Sequence, residues 1–460
     1  MRQHPHVMSA VRKEFYNWHL WSGRVLVIAF AAIAGMTVVG FTWLTEHALA
    51  RFSLVEKLYW WMPLLWTPLS TACIVWLTLR FAPGASGSGI PQVMAALEPV
   101  VDEKSRSIFV SLKLSIIKIA LSAWGLLAGL SLGREGPSVQ IAAGVLHHSR
   151  RWIPKRAHIS EHSLLIAGGA AGIAAAFNTP LGGVMFAIEE LARKPEQRNN
   201  SLILVAIVLA GMVSVSFNGN SSYFGVIRIG QLSTALLFPA AMVVISCGIA
   251  GGLFSRLMMV SLAGRSQDWF SQLRRSSPVA FAAACGLGIA ILGITSHGES
   301  YGSGYAHTRN MLESNGESIS LFVLFKFIAT WLTTWSGVPG GIFAPALTIG
   351  GALGNDVAQL TGYPYTAALI AMGMAGFLAA VTQAPMTAFI IVMEMVDGHA
   401  LVLSLMTSAM VSSAIARLIS TPLYPSLADL QLLRLPQPTS TDTKKGAPQG
   451  SKSLHHSNST

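Results

Sequence analysis

Charge is scarce in this chain. Of 460 residues only 11% are Asp, Glu, Lys or Arg, against about 25% in an ordinary soluble domain, while 52% are hydrophobic. That shortage excludes both a normal water-facing surface and a charged disordered polymer. Cysteine is scarcer still. Cys73, Cys247 and Cys285 lie in or beside apolar stretches, without metal-ligand spacing. They read as small buried hydrophobes rather than disulfides or a metal site. Acidic residues are the rarer sign, with 20 Asp and Glu beside 31 Lys and Arg. The basic residues are scattered rather than gathered on one face, which argues against nucleic acid as a partner. Met1–Trp18 is polar and has no apolar core, so no cleavable signal peptide is expected.

Long apolar runs are what the chain has in abundance. They recur at Trp21–Trp43, Trp60–Leu79, Ser201–Phe217, Leu236–Phe254, Pro278–Ile294, Leu321–Trp335 and Thr366–Val381, each of bilayer-crossing length or near it. A globular core explains one such run, not seven. The expected fold class is an all-α multi-pass membrane protein in a lipid bilayer. The 43 Gly and 21 Pro fit broken, closely packed membrane helices. Arg2, Arg12 and Lys13 precede the first run, Arg150, Arg151, Lys155 and Arg156 lie in a connector, and Lys444, Lys445 and Lys452 lie near the end. The positive-inside rule makes these segments, and therefore both termini, cytoplasmic, in a plasma (inner) membrane.

Three short stretches combine glycine and proline at the start of a helical pattern: Gly87-Ser88-Gly89-Ile90-Pro91, Gly133-Arg134-Glu135-Gly136-Pro137 and Gly341-Ile342-Phe343-Ala344-Pro345. A helix that begins inside the membrane presents free backbone N–H groups and the positive end of its dipole. That arrangement suits a dehydrated anion. Irregular backbone is tolerated at membrane depth only where protein buries it or where it lines a cavity. Broken helices aimed at an anionic substrate are a transporter device, so passage of a small anion is the expected activity.

An internal repeat is legible. At an offset of 205 residues, Gly168, Ala170, Ala174, Ala175, Pro180 and Glu189 fall on Gly373, Ala375, Ala379, Ala380, Pro385 and Glu394, and Gly136 falls on Gly341. Repeated halves with substrate between them are common among transporters. The expected organisation is a cytoplasmic N-terminal segment at 1–20, a first membrane half at 21–218, a connecting loop at 219–237, a second membrane half at 238–435, and a disordered cytoplasmic tail at 436–460, where His455 and His456 read as solvated.

Charged residues inside the apolar runs are few: Lys118, Arg134, Glu135, Glu189, Glu190, Lys326 and Glu394. Such residues are costly and by default functional. Glu135 stands at a helix start, where its carboxylate and an anion seek the same amides; it reads as a gate and proton carrier, or as a plain capping carboxylate. Glu189 and Glu190 close the apolar helix Leu181–Ile188 and point about 100° apart. Glu189 has a repeat counterpart, Glu394, and looks structural. Glu190 falls on Met395, so it reads as a proton station on the cytoplasmic side, or as a solvated carboxylate. Ser88 offers a hydroxyl to a ligand or is a turn serine. Tyr424 offers an uncharged O–H donor or is an interfacial anchor. Lys118 and Lys326 precede the second and third motifs by similar distances. They either raise the local anion concentration or pair with Glu189 and Glu394.

Together these residues resemble the CLC family of chloride channels and chloride/proton exchangers, with the three motifs in order and the match running from about Trp21 to Ala428. The resemblance implies two inverted halves of tilted, partly broken helices and a homodimer with one pore per subunit. It implies chloride bound by the hydroxyls of Ser88 and Tyr424 and the backbone amides of Ile342 and Phe343. It implies Glu135 as the gate and Glu190 as the internal proton glutamate that exchangers have and channels usually lack. Chloride and protons would be the transported ions, with no cofactor and no metal. Serine at position 88 resembles chloride-selective members rather than nitrate-preferring or fluoride-exporting ones. Gln92 departs from the glutamate that many relatives carry after the proline. The tail is short for the paired cytoplasmic nucleotide-binding (CBS) modules of eukaryotic relatives, which points to a prokaryotic-type protein. A passive, pH-gated chloride channel is the alternative within transport. From another class, Gly84-Ala85-Ser86-Gly87 matches the short G-x-S-G pattern of intramembrane serine proteases of the rhomboid type. That chemistry needs a later histidine as base, of which His297, His307 and His399 are the candidates.

Overall fold

The structure is a computed structural model that describes residues 18–157, 159–192, 201–219, 223–225, 234–264, 267–313 and 321–433. Residues 1–17 of the expected segment at 1–20, all of that at 436–460 and most of the 219–237 connection lie outside the described residues. Among the described residues every regular element is a helix, and the only ladder pairing is two isolated bridges between loops.

Among the described residues six helical stretches are long and apolar enough to cross a bilayer: Trp21–Leu58, Met62–Phe81, Glu103–Leu127, Leu237–Ala263, Pro278–Thr295 and His399–Arg417. The first of these belongs to the helix Trp18–Leu58 of 41 residues, roughly 60 Å at 1.5 Å per residue. It is twice what the bilayer needs and runs well past the expected Trp21–Trp43. Glu161–Phe177, Thr366–Thr382 and Pro385–Met395 are apolar but shorter, as expected of helices that start or stop inside the membrane.

The helices flanking the motifs pack backbone to backbone. A Cβ on Gly172, in Glu161–Phe177, would meet the Ser138 carbonyl at 2.5 Å; one on Gly350, in Phe343–Thr361, would meet the Gly373 carbonyl at 2.2 Å. Only glycine permits either approach.

The repeat appears as a set of reciprocal hydrogen bonds. The Glu189 carboxylate accepts from the backbone N–H of Met386 (3.2 Å) and Thr387 (2.6 Å). Glu394 accepts from Leu181 (3.2 Å) and Gly182 (2.7 Å). Each glutamate thus caps the start of the other half's helix at the 205-residue offset, satisfying free amides at a helix N-terminus. Because the caps are reciprocal, each from the end of one helix to the start of its counterpart, the two helices run antiparallel, as in two inverted halves.

At the motifs the offset is different. Gly133 and Gly341 exchange N–H···O bonds of 2.7 and 2.8 Å in an antiparallel bridge. The helices after them start at Glu135 and Phe343, 208 residues apart. The expectation that Gly136 matches Gly341 is corrected here: Gly133 does. The three-residue slip is absorbed before the next helix pair, where residues 150–160 connect the helices in the first half and only 362–365 do so in the second.

A candidate anion site where three helices begin

All three motifs start helices, at Ile90, Glu135 and Phe343, and the fold brings them to one place. Besides the Gly133–Gly341 exchange, Gly87 donates to the Val338 carbonyl (3.3 Å) and accepts from Gly340 (3.0 Å). Gly87 and Gly89 take φ of 75° and 108°, a region that disfavours any residue with a Cβ. A Cβ on Gly136 would lie 2.2 Å from Ser88 Oγ and 3.3 Å from the Gly341 Cα. The glycines that made the motifs visible in sequence are therefore the contact points at which three helix starts converge.

Polar groups collect at this convergence without satisfying one another. Ser88 is 7% exposed, Tyr424 and Glu135 0%. Ser88 Oγ, the Tyr424 hydroxyl and both carboxylate oxygens of Glu135 make no hydrogen bond of full geometry, although Tyr424 lies close to Ser88 and Glu135 close to backbone amides. A buried unpaired polar atom costs about 1–3 kcal/mol, more when charged, and each calls for an explanation such as an ion. The Tyr424 hydroxyl lies near Ser88 and within electrostatic reach of Glu135 and Glu190. Its ring is stacked parallel on Phe343, centroids 6.1 Å apart, and its helix, Leu423–Leu432, packs on Ile90–Ala96. A cavity of about 50 Å3, lined by Ser88, Ile342 and Tyr424 among others, is sized for waters or small ions and is far below the roughly 300 Å3 of organic-ligand pockets. The first amides of the Phe343 helix have no intrahelical acceptor.

Glu135 does not line that cavity. Its Oε2 lies over Gly133, where a Cβ would come within 2.2 Å, and it faces the backbone amides of Arg134 and Ala344. The carboxylate thus sits at the seam between the second and third motifs. Glu190 is 6% exposed, which removes the solvated-carboxylate alternative. It lies in a π-turn, Ala187–Leu191, closed by Ala192 N–H to the Ala187 carbonyl at 2.7 Å. The sequence reading ended a helix here. The wider turn carries Glu190 into the protein while Glu189 caps the other half.

Several expectations are corrected. Neither lysine pairs with Glu189 or Glu394. Lys118 Nζ donates to the carbonyls of Ala85 and Gly87, both at 2.6 Å, and Lys326 Nζ to those of Ser300 (3.0 Å) and Gly302 (2.7 Å). Both are fully buried and hold loops. Arg134 turns away from Glu135, bonding Glu46 (2.7 Å) and the Tyr223 hydroxyl (2.8 Å). Among the described residues no histidine bonds Ser86, the serine of the protease reading: its Oγ donates to the Gly337 carbonyl at 2.9 Å, while His307 pairs with Glu299 and His399 with Asp397. Gln92 is a part that sequence reasoning treated as a departure and the structure explains. Its Oε1 accepts from Gly89 N–H (2.9 Å) and its Nε2 donates to the Ser86 carbonyl (2.5 Å). An ionised glutamate supplies only the first bond. The Glu46 partner of Arg134 carried no sequence signal beyond its acidity.

Comparison with known proteins places this architecture. Residues 70–417 match the family model described as "Voltage gated chloride channel". The chain is 30% identical over 421 residues to the H(+)/Cl(-) exchange transporter ClcA of Cronobacter sakazakii, covering 86% of each protein. It is 31% identical over 423 residues to ClcA of Citrobacter koseri, covering 86% of this chain and 85% of that one. Among solved structures it is similar to a slow cyanobacterial Cl−/H+ antiporter, with a TM-score of 0.75 and 26% identity over 90% of this chain and 98% of the other. A CLC-type fluoride/proton antiporter, 22% identical over 88% of this chain and 98% of its own, shares the fold at a TM-score of 0.71. The chain belongs to the voltage-gated chloride channel family, the CLC family that its three motifs resemble.

Proposed function

We propose that the protein is a secondary antiporter that exchanges chloride for protons, with the anion held at the convergence of the three helix starts. One observation carries the reading: the Ser88 and Tyr424 hydroxyls at the cavity and the Glu135 carboxylate at the adjoining seam are buried and without a hydrogen bond of full geometry. Neutral donors and helix-start amides favour an anion there, and the backbone amides of Ile342 and Phe343 complete the donor set. A carboxylate at the seam competes with the anion for amides. Protonation ends that competition, so one residue couples the two ions. Glu190, buried within electrostatic reach of Tyr424, is the inner proton station, and its presence favours exchange over a passive, pH-gated channel. The relatives named H(+)/Cl(-) exchange transporters agree with this reading.

The remaining assignments belong to the same proposal. The protein is a homodimer with one pore per subunit, in the plasma (inner) membrane with both termini cytoplasmic. Its two halves, 21–218 and 238–435, are joined by the 219–237 loop. It needs no cofactor, and it is not an enzyme. Chloride binding to Tyr424→Ala, measured by calorimetry, tests the site. Loss of the donor hydroxyl is expected to weaken affinity about tenfold and to loosen coupling to protons. Unchanged affinity with coupling intact defeats the assignment.

A further inference from the structure

At the end of the Glu135–Ser149 helix opposite the anion site, the protein surface holds a cavity of about 540 Å3. Lys113, His148, Arg150 and Arg151 line it together with one carboxylate, Glu103, and with Ser107 and Ser111, whose hydroxyls already bond the Lys104 carbonyl and the Leu114 N–H. Arg150 is already engaged, by Glu161 and by Glu103 at 3.3 Å. Lys113 and Arg151 are exposed, and among the described residues no carboxylate pairs with either. With Glu103 paired to Arg150, Lys113 and Arg151 are the two cations that face the cavity without a paired carboxylate among the described residues, beside the His148 imidazole. Lys113 stands in the first turn of Leu112–Leu127, whose opening amides add positive potential on the same side.

Two of the lining residues, Val110 and Leu112, are apolar, Leu112 being 37% exposed, and the exposed Trp152 packs edge-on against the lining residue His148 at 5.0 Å and stacks on Phe30 at 5.3 Å. The cavity also adjoins a membrane-spanning stretch, Glu103–Leu127. Cations over apolar surface at a membrane boundary match a phospholipid, with phosphate in the cavity and acyl chain on the rim. The inverted repeat shows that the fold does not require this feature: the matching connector is only Gly362, Tyr363, Pro364 and Tyr365, with no cation. We propose that this cavity binds the headgroup phosphate of an anionic phospholipid, at a site separate from the ion path.

The test is lipid retention by the full-length protein, purified from membranes of mixed phosphatidylglycerol and phosphatidylcholine and analysed by native mass spectrometry. Wild type is expected to retain phosphatidylglycerol selectively. Lys113→Gln with Arg151→Gln should weaken retention roughly 25-fold, about fivefold for each cation facing an anionic headgroup, with chloride affinity unchanged. Lys113→Arg with Arg151→Lys should restore it. Wild-type retention should also fall as salt rises, because the contact is screened, and this arm needs no variant. Equal retention by wild type and the glutamine pair overturns the proposal, as does retention indifferent to salt. Calorimetric binding of inorganic phosphate without selective lipid retention identifies a soluble anion as the ligand and overturns the lipid assignment.

Discussion

The two halves of this molecule agree where they build and differ where they carry ions. Glu189 and Glu394 cap each other's helices through matching amides. Lys118 and Lys326 each tether loop carbonyls before a motif helix. Against that symmetry, the motif helix starts with Glu135 in one half and Phe343 in the other, and Glu190 faces a Met395 counterpart. Duplicated residues satisfy backbone groups that any such half leaves open. The unduplicated carboxylates, Glu135 and Glu190, have no counterpart that returns the same contact from the other half.

If this division is right, breaking the asymmetric residues changes transport and breaking the symmetric ones changes stability. The largest effect is expected from Glu135→Gln, which imitates the protonated, displaced side chain. Proton movement should cease, chloride flux should become insensitive to pH, and an added anion should appear beside Gly136 in a structure of the variant. A variant that still pumps protons against a chloride gradient contradicts the gate. Glu190→Gln should stop protons while chloride flux persists; paired flux assays in vesicles separate this from a general loss. If both fluxes survive equally, the carboxylate has no part in proton transfer.

The symmetric residues give smaller, paired effects. Lys118→Met strands the Ala85 carbonyl and leaves that of Gly87 with the Gly340 N–H alone, and Lys326→Met strands those of Ser300 and Gly302, at about 1–3 kcal/mol per stranded group. Both should lower the thermal unfolding midpoint in detergent by comparable amounts and leave chloride affinity per folded protein intact. Smallest are Glu189→Gln and Glu394→Gln, each weakening charge-assisted caps by about 1 kcal/mol. Equal losses from the two halves sharpen the symmetry; a loss from one alone breaks it.

Much of this was legible in the sequence because glycine, proline and charge are conspicuous in an apolar chain. The three helix starts, the membrane class and the pairing of Glu189 with Glu394 all came from such residues. Contacts made by carbonyls left no trace there, since every residue has one. Lys118 and Lys326 therefore looked like free cations or ion-pair partners. The motif offset was misread by three residues because Ala/Gly-rich helices align well at 205, while the slip lies in a connector of unlike length and composition. The π-turn that buries Glu190 has no local signature, and the Glu46–Arg134 bond joins residues 88 positions apart.

The central claim is stoichiometric coupling of two ions at one site, and reversal potential under a proton gradient reports it directly. Purified protein in vesicles with equal chloride on both sides and unequal pH should show a reversal potential displaced from zero, with the proton gradient driving net chloride movement. A potential that follows the chloride gradient alone, whatever the pH difference, identifies a passive channel and contradicts the account.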